Sequence, residues 1–290
     1  MPMISLIAPD GMLDATLAVS LRNAWGGGDV VWLSADEAAE FHVDAVPANF
    51  WDTWESLQAM SVDLVLQPDG ARRKKLLIAD MDSTMIEQEC IDELADVAGV
   101  GDRVKEITAR AMNGELDFVQ ALDERVGLLK GQPVSIIAQV ISDRITFTAG
   151  GPVLLATMKA DGAYGALVSG GFTAFTGHVA GALGFDEHRA NTLLHDGDVL
   201  SGKAGRPVLG QQAKVDALAE ITARLGVSEN DALAVGDGAN DLGMLGRAGL
   251  GVALHAKPAV AAQCEVRINH GDLSALLFLQ GYSRDQFVTP

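Results

Sequence analysis

Two carboxylates, Asp80 and Asp82, stand one residue apart at the end of the apolar run LLIADMDST (76–84), and two hydroxyls, Ser83 and Thr84, follow them. A short apolar run of this kind reads as a buried strand. In an open α/β sheet the ligand sits just beyond the carboxyl end of such a strand. Asp80 is then held at the sheet edge, and Asp82 can turn back toward the same ligand. Carboxylates this close repel each other unless a cation or a shared proton lies between them. The pair points to a magnesium ion, to acid–base work, or to both.

Later segments carry complementary groups. The apolar run 165–168 delivers Ser169-Gly170-Gly171, and the run 232–235 ends in Gly236-Asp237-Gly238-Ala239-Asn240-Asp241. Lys214 lies in the first turn of an amphipathic helix over 211–225. Asp80 and Asp237 are oxygen ligands of the kind Mg²⁺ takes, and Mg²⁺ keeps positions for water and a substrate phosphate. Ser169 and the amides around Gly170 and Gly171 precede a helix and offer donors to an anion. Lys214 is a compact positive charge suited to a phosphoryl oxygen. The six histidines are scattered, and none has metal-ligand spacing.

Strands at 76–79, 165–168, 232–235, 250–254 and 266–268 alternate with helices, which implies right-handed crossovers and a mostly parallel sheet. The fold expected is Rossmann-like α/β, with helices on both faces of the sheet. A hairpin is expected within 193–200, at its Asp-Gly pair. Helical patterns at 87–98, 104–112, 117–129 and 135–143 separate the first two core strands. They form an insertion, a helical cap at about 87–147. Residues 1–70 read as a small α+β domain with strands at 4–8, 30–33 and 63–66 and helices at 12–25 and 49–60. Pro68-Asp69-Gly70 and the run Arg72-Arg73-Lys74-Lys75 read as a linker and a solvated hinge. Residues 71–290 form the core with its cap.

Composition excludes several classes. The net charge of −18 argues against nucleic acid, whose binding needs basic neutralisation of phosphates. It leaves a small anionic substrate open, because distant surface charges are screened beyond about 8 Å at physiological salt. No apolar run reaches the roughly 18 residues of a membrane span. The N-terminus lacks the marks of a signal peptide. Cys90 and Cys264 are far apart and unpaired in spacing, which fits a reducing cytoplasm.

In order along the chain, DMDST, the SGG serine, the lone lysine and GDGAND resemble the four motifs of the haloacid dehalogenase-like superfamily. IEQECIDELA, ITARAMNGELDF, ALDERVGLLKG and VSGGFTAFT narrow the resemblance, over roughly 75–280, to its phosphoserine phosphatase family. The resemblance implies hydrolysis of O-phosphoserine with Mg²⁺, the last step of serine biosynthesis. It makes Asp80 the nucleophile, which forms an aspartyl-phosphate. Asp82 becomes the acid for the leaving oxygen and then the base for water. The metal is held by the Asp80 carboxylate, the Asp82 carbonyl and Asp237. Ser169, Gly170, Gly171, Lys214 and Asn240 hold the phosphoryl group, and Asp241 braces the loop. Glu89 pairs with the substrate ammonium and Arg125 with its carboxylate, while Met112 and Phe118 close an apolar lid. Residues 1–70 carry no catalytic constellation and read as a packing or homodimerisation domain, or else as a small-molecule sensor; the resemblance implies an ACT-like regulatory module there. The alternatives are a sister phosphatase or phosphotransferase for another small phosphomonoester, a receiver-like signalling module, and a non-catalytic regulator.

Overall fold

The computed structural model describes every residue except Gly114 and the side chain of Met112. Residues 3–67 run β1 (Met3–Ile7), α1 (Ala15–Trp25), β2 (Val31–Ser34), β3 (Ala38–His42), α2 (Phe50–Gln58) and β4 (Asp63–Gln67), with an antiparallel strand order β2-β3-β1-β4. This is the split β-α-β-β-α-β arrangement. Helix α1 starts where Asp14 accepts the Thr16 N–H at 2.7 Å and stops at Gly26, which takes φ 65°. Ile4, Leu6, Phe41 and Leu64 on the sheet face Ala18, Phe50 and Leu57 on the helices.

Two expectations fail in this region. Strand β3 was not foreseen, because its sequence AAEFH carries an acid, Glu40, and two alanines where a strand pattern needs large apolar residues. Glu40 is buried there because Arg72 Nη2 reaches it at 2.7 Å. The basic run is not a solvated hinge either. Arg72 also donates to the Leu279 and Phe278 carbonyls, Arg73 pairs with Asp161, and Lys74 donates to the Asn230 carbonyl. Its charges tie the first sheet to the rest of the chain. From the other side, Asp63 accepts the N–H groups of Asn269, His270 and Gly271 at 2.8–3.0 Å.

The second sheet holds β5 (Leu76–Ala79), β6 (Tyr164–Phe172), β7 (Glu187–Asn191), β10 (Ala232–Gly236), β11 (Leu250–Leu254) and β12 (Val266–Ile268). All are parallel, in the order β12-β11-β10-β5-β6-β7. The connecting helices are α7 (Gly151–Ala160), α8 (Thr173–Leu183), α9 (Gln211–Leu225), α10 (Leu242–Leu245) and α11 (Pro258–Ala261), with α12 (Ala275–Leu279) last. Leu77 and Ala79 of β5 pack on one face, with Leu154, Met158 and Phe175 from α7 and α8. Leu76 and Ile78 pack on the other, with Leu218 and Ile221 of α9 and Met244 of α10. Helices therefore cover both faces, as expected. Each large side chain of β5 is fully buried, worth roughly 1.5–3 kcal/mol. That burial holds the strand rigid up to Asp80.

Strand β7 is the other strand missed. Its sequence EHRAN has no apolar alternation, because it is an edge strand whose Glu187 and Arg189 join an ion-pair network with Glu220 and Arg224.

Between β5 and β6 the cap consists of α3 (Cys90–Val97), α4 (Gly101–Met112), α5 (Phe118–Gly127) and α6 (Ser135–Arg144). Its neck closes through an antiparallel bridge, Ile86 with Phe147, flanked by Glu87 N–H to the Thr146 carbonyl at 3.1 Å. The hairpin β8 (Leu193–Asp196) and β9 (Val199–Ala204) leaves the core sheet and joins the cap. Gly131 N–H donates to the Leu200 carbonyl and Leu200 N–H to the Gln132 carbonyl, both at 2.8 Å. A second tether therefore supports the cap from the β7 side.

Candidate active site

The carboxyl ends of β5, β6 and β10 lie side by side, so Asp80, Ser169 and Asp237 come from three adjacent strands. With Asp82, Glu89, Phe118, Arg125, Gly170, Gly171 and Asn240 they line one cavity of about 990 Å³ between the sheet edge and the cap. Every residue proposed for the site lines this cavity or touches one that does, apart from Met112, whose side chain lies outside the described residues.

The floor is charged and closely packed. Lys214 is 2% exposed and places Nζ 2.7 Å from Asp80 Oδ1 and 2.6 Å from Asp241 Oδ1. Burial works against its charge, but Asp80 and Asp241 outweigh that and hold it above the usual lysine range. Met81 N–H also donates to Asp80 Oδ1 at 2.7 Å. Among the described residues Asp80 Oδ2 has no hydrogen-bond partner, which leaves that oxygen for the cavity. Asp241 Oδ2 accepts the Gly238 N–H at 3.0 Å, so both of its oxygens hold neighbouring groups.

Carboxylate oxygens of Asp80, Asp237 and Asp241 lie within 4.8 Å of one another. Burial first, and then the charge of Asp80, raises the Asp237 carboxyl above its ordinary range. Asp80 and Asp237 line the cavity as hard oxygen donors of the kind a small divalent cation takes, while the two oxygens of Asp241 are held by Lys214 and Gly238. The donor set therefore fits a metal of that class.

Asp82 spans core and cap. Its Oδ1 accepts the Cys90 N–H at 3.0 Å, and its Oδ2 lies 3.3 Å from the Ser169 hydroxyl, which donates to it. Burial, and after it the charge of Asp80, pushes the carboxyl up to about 6 against the pull of Cys90. An acid of that strength can deliver and recover a proton near neutrality. A Cβ on Gly171 would lie 2.5 Å from Asp82 Oδ2, so only glycine lets the serine turn come this close. Ser83, next in the chain, adopts φ 54° in the left-handed region, and its N–H donates to the Gln88 carbonyl at 3.2 Å.

The expected helix at 87–98 begins later, at Cys90, with Glu89 in extended backbone at φ −95° and ψ 109°. Asp82 takes the first free amide of α3, so Glu89 precedes the helix and its carboxylate joins the cavity wall. There Glu89 accepts the Ser83 hydroxyl at 2.8 Å. Desolvation among protein groups, then the charge of Asp82, pushes Glu89 up to about 7, although its surface is open to the cavity. Arg125 comes from α5, with Nε donating to the Ala121 carbonyl at 3.2 Å. Burial pulls its pKa down, against Asp92 and Glu89, but a guanidinium stays charged. Acid and base thus face one cavity from the cap.

Several contributors carried no usable signal in the sequence. Thr84 donates to Asp237 Oδ1 at 3.3 Å, Lys257 lines the cavity from the loop after β11, and Asn191 holds the serine turn from β7. Thr84 stands within the conspicuous DMDST run, where its hydroxyl was visible but its partner was not. Lys257 and Asn191 are brought in by tertiary placement alone.

Comparison with known proteins agrees with this geometry. The profile of the haloacid dehalogenase-like hydrolases matches residues 77–246. A probable phosphoserine phosphatase of Schizosaccharomyces pombe is 44% identical over 216 residues, covering 74% of this chain and 72% of its own. The chain spans 64% to 72% of the length of the first four curated relatives it matches. A HAD family hydrolase from Salmonella enterica serovar Typhi superposes with a TM-score of 0.87 at 31% identity, covering 96% of this chain and 98% of that one. A phosphoserine phosphatase solved as a phospho-aspartyl intermediate analogue gives 0.66 at 40% identity, covering 71% of this chain and 98% of that one. The chain belongs to the haloacid dehalogenase-like hydrolases.

Proposed function

We propose that this chain is a phosphoserine phosphatase, which hydrolyses O-phospho-L-serine to L-serine and phosphate. One observation carries the reading. The carboxylate pair at the β5 edge shares a cavity with an acid and a base from the cap, Glu89 and Arg125, which match an amino acid's two charges. The names of the relatives support the same substrate.

Asp80 attacks phosphorus through a carboxylate oxygen, and the bond to the serine oxygen breaks. Asp82 gives its proton to that oxygen. In the second half Asp82 takes a proton from water, which attacks the aspartyl-phosphate and releases phosphate, restoring Asp80. Mg²⁺ held by Asp80, the Asp82 carbonyl and Asp237 supplies charge stabilisation to the phosphoryl oxygens when bound. Lys214 and the Ser169 hydroxyl stabilise the same oxygens, with Asn240 at the cavity wall. Glu89 receives the ammonium and Arg125 the carboxylate, bidentately. Phe118 covers the chemistry from water, and the same lid role is assigned to Met112.

The same reading takes residues 1–70 as a small separate domain and 71–290 as the catalytic core with its cap. Strand β2 is an open edge with Val31 52% exposed, which supports pairing of two copies there, to be checked by light scattering. Both cysteines are free and buried, which supports a reducing cytoplasm. No helix of the described residues is long and apolar enough to cross a membrane.

The test is a phosphate-release screen over small phosphomonoesters, including L- and D-phosphoserine, with and without a chelator. Fastest Mg²⁺-dependent turnover of O-phospho-L-serine is expected. Equal turnover of a phosphomonoester lacking the ammonium or the carboxylate contradicts the reading.

A further inference from the structure

Strand β7 ends in a residue that no step of the scheme above uses. Asn191 is 1% exposed. Its Nδ2 donates to the Gly170 carbonyl at 2.8 Å and to the Leu209 carbonyl at 3.2 Å, and its Oδ1 accepts the Leu209 N–H at 2.7 Å. The Gly170 carbonyl and the Gly171 N–H belong to one peptide unit, and that N–H donates to the Ser169 hydroxyl oxygen at 2.8 Å. The peptide is therefore held at both poles, and rotating it breaks two part-buried hydrogen bonds. With it fixed, Ser169 spends a lone pair on Gly171 and keeps its hydrogen for Asp82 or for a phosphoryl oxygen.

The other end of the same amide matters equally. Leu209 precedes Gly210, the N-cap of α9, and α9 carries Lys214. Asn191 thus sets the spacing between the serine turn and the helix that presents the lysine. A Cβ on Gly170 would lie 3.2 Å from Phe118 Cζ, and one on Gly210 would lie 3.3 Å from Phe118 Cδ1. The cap's aromatic ring therefore sits against both segments that Asn191 joins.

We propose that Asn191 is a positioning residue for the phosphoryl group, fixing the Gly170–Gly171 peptide and its distance from Lys214 so that the donors of both meet the same oxygens. It acts on the phosphate end of the site and leaves the Glu89–Arg125 end untouched. A carboxamide is needed, because the position must donate to two carbonyls and accept from one amide.

Asn191→Asp is the sharpest substitution. It keeps the shape and the acceptor for Leu209, and it turns both donations into contacts between oxygens. Asn191→Ala removes all three bonds and serves where the aspartate variant does not fold. Orthovanadate affinity at saturating Mg²⁺ reads the phosphate cradle, and L-serine affinity reads the cap end. The expected result is vanadate binding weakened at least tenfold, serine binding changed less than twofold, and a kcat loss with little change in KM. Unchanged vanadate affinity, an equal loss for both ligands, or failure of both variants to fold overturns the proposal and assigns Asn191 to the fold alone. The proposal rests on the phosphoserine reading only for its serine arm. A wild-type chain that binds vanadate but not L-serine sinks that reading, and the vanadate result on Asn191 still stands.

Discussion

The core edge and the cap contribute to one cavity in opposite ways. At the core edge the charged groups already pair with one another. Lys214 is locked between Asp80 and Asp241, Gly238 N–H holds Asp241, and Ser169 is fixed from Gly171. Little there beyond the Ser169 hydroxyl must turn when phosphate arrives, and electrostatic stabilisation is strongest where reorganisation is small. The cap groups are held lightly. Glu89 has one hydroxyl, from Ser83, and Arg125 one carbonyl of its own helix. They are free to re-aim at a ligand. The difference teaches a division of labour: the sheet edge carries a preset reaction, and the cap decides what is admitted to it.

That division can be broken in order of effect. Asp80→Asn removes the nucleophile and should lower kcat by more than about 10⁴-fold, as loss of a catalytic nucleophile does elsewhere, with the thermal midpoint little changed. Gly171→Ala keeps every charged group but drives a methyl into Asp82. A displacement near 1 Å can cost about 10²-fold, so steady-state kinetics should show that loss in kcat rather than KM. Arg125→Ala should act in the reverse sense. Losing a charged hydrogen bond costs about 1.5–3 kcal/mol, so KM for phosphoserine should rise roughly ten- to a hundredfold while pre-bound chemistry persists. A fall in kcat alone would place Arg125 with the core edge and erase the distinction.

The smallest effect is in pH. Desolvation and then the charge of Asp82 push the Glu89 carboxyl up to about 7, so its charged form is present above that value and is lost as pH falls through it. Because kcat/KM reports the free enzyme, it should decline below pH 7, by roughly tenfold per unit. In Glu89→Gln the plateau is lower and that limb is missing. A limb near 7 that survives the substitution belongs to another group.

Sequence alone made the core legible because its signals are local. LLIA reads as a buried strand, and each chemical group follows its strand within a few residues. The cap was legible as helices, but its capping was not: Asp82 completes the start of α3 across eight residues of chain, which moved Glu89 off the helix. Strands β3 and β7 were missed because ion pairs replace apolar alternation in them, and the partners Arg72, Glu220 and Arg224 come from elsewhere in the chain. Asn191 escaped for the same reason. Its partners, Gly170 and Leu209, lie 21 and 18 residues away.

The most direct measurement traps the reaction midway. The chain is mixed with ³²P-labelled phosphoserine and Mg²⁺ and quenched in acid; one portion is counted for protein-bound label, and the other is reduced with borohydride, which expels the phosphate and leaves homoserine at the labelled aspartate for mapping by mass spectrometry. The label should sit on Asp80, be labile to hydroxylamine, and be absent in Asp80→Asn. Label on Asp82 or on Ser169, or turnover that proceeds with no acid-stable labelled protein at all while Asp80→Asn stays active, contradicts the account.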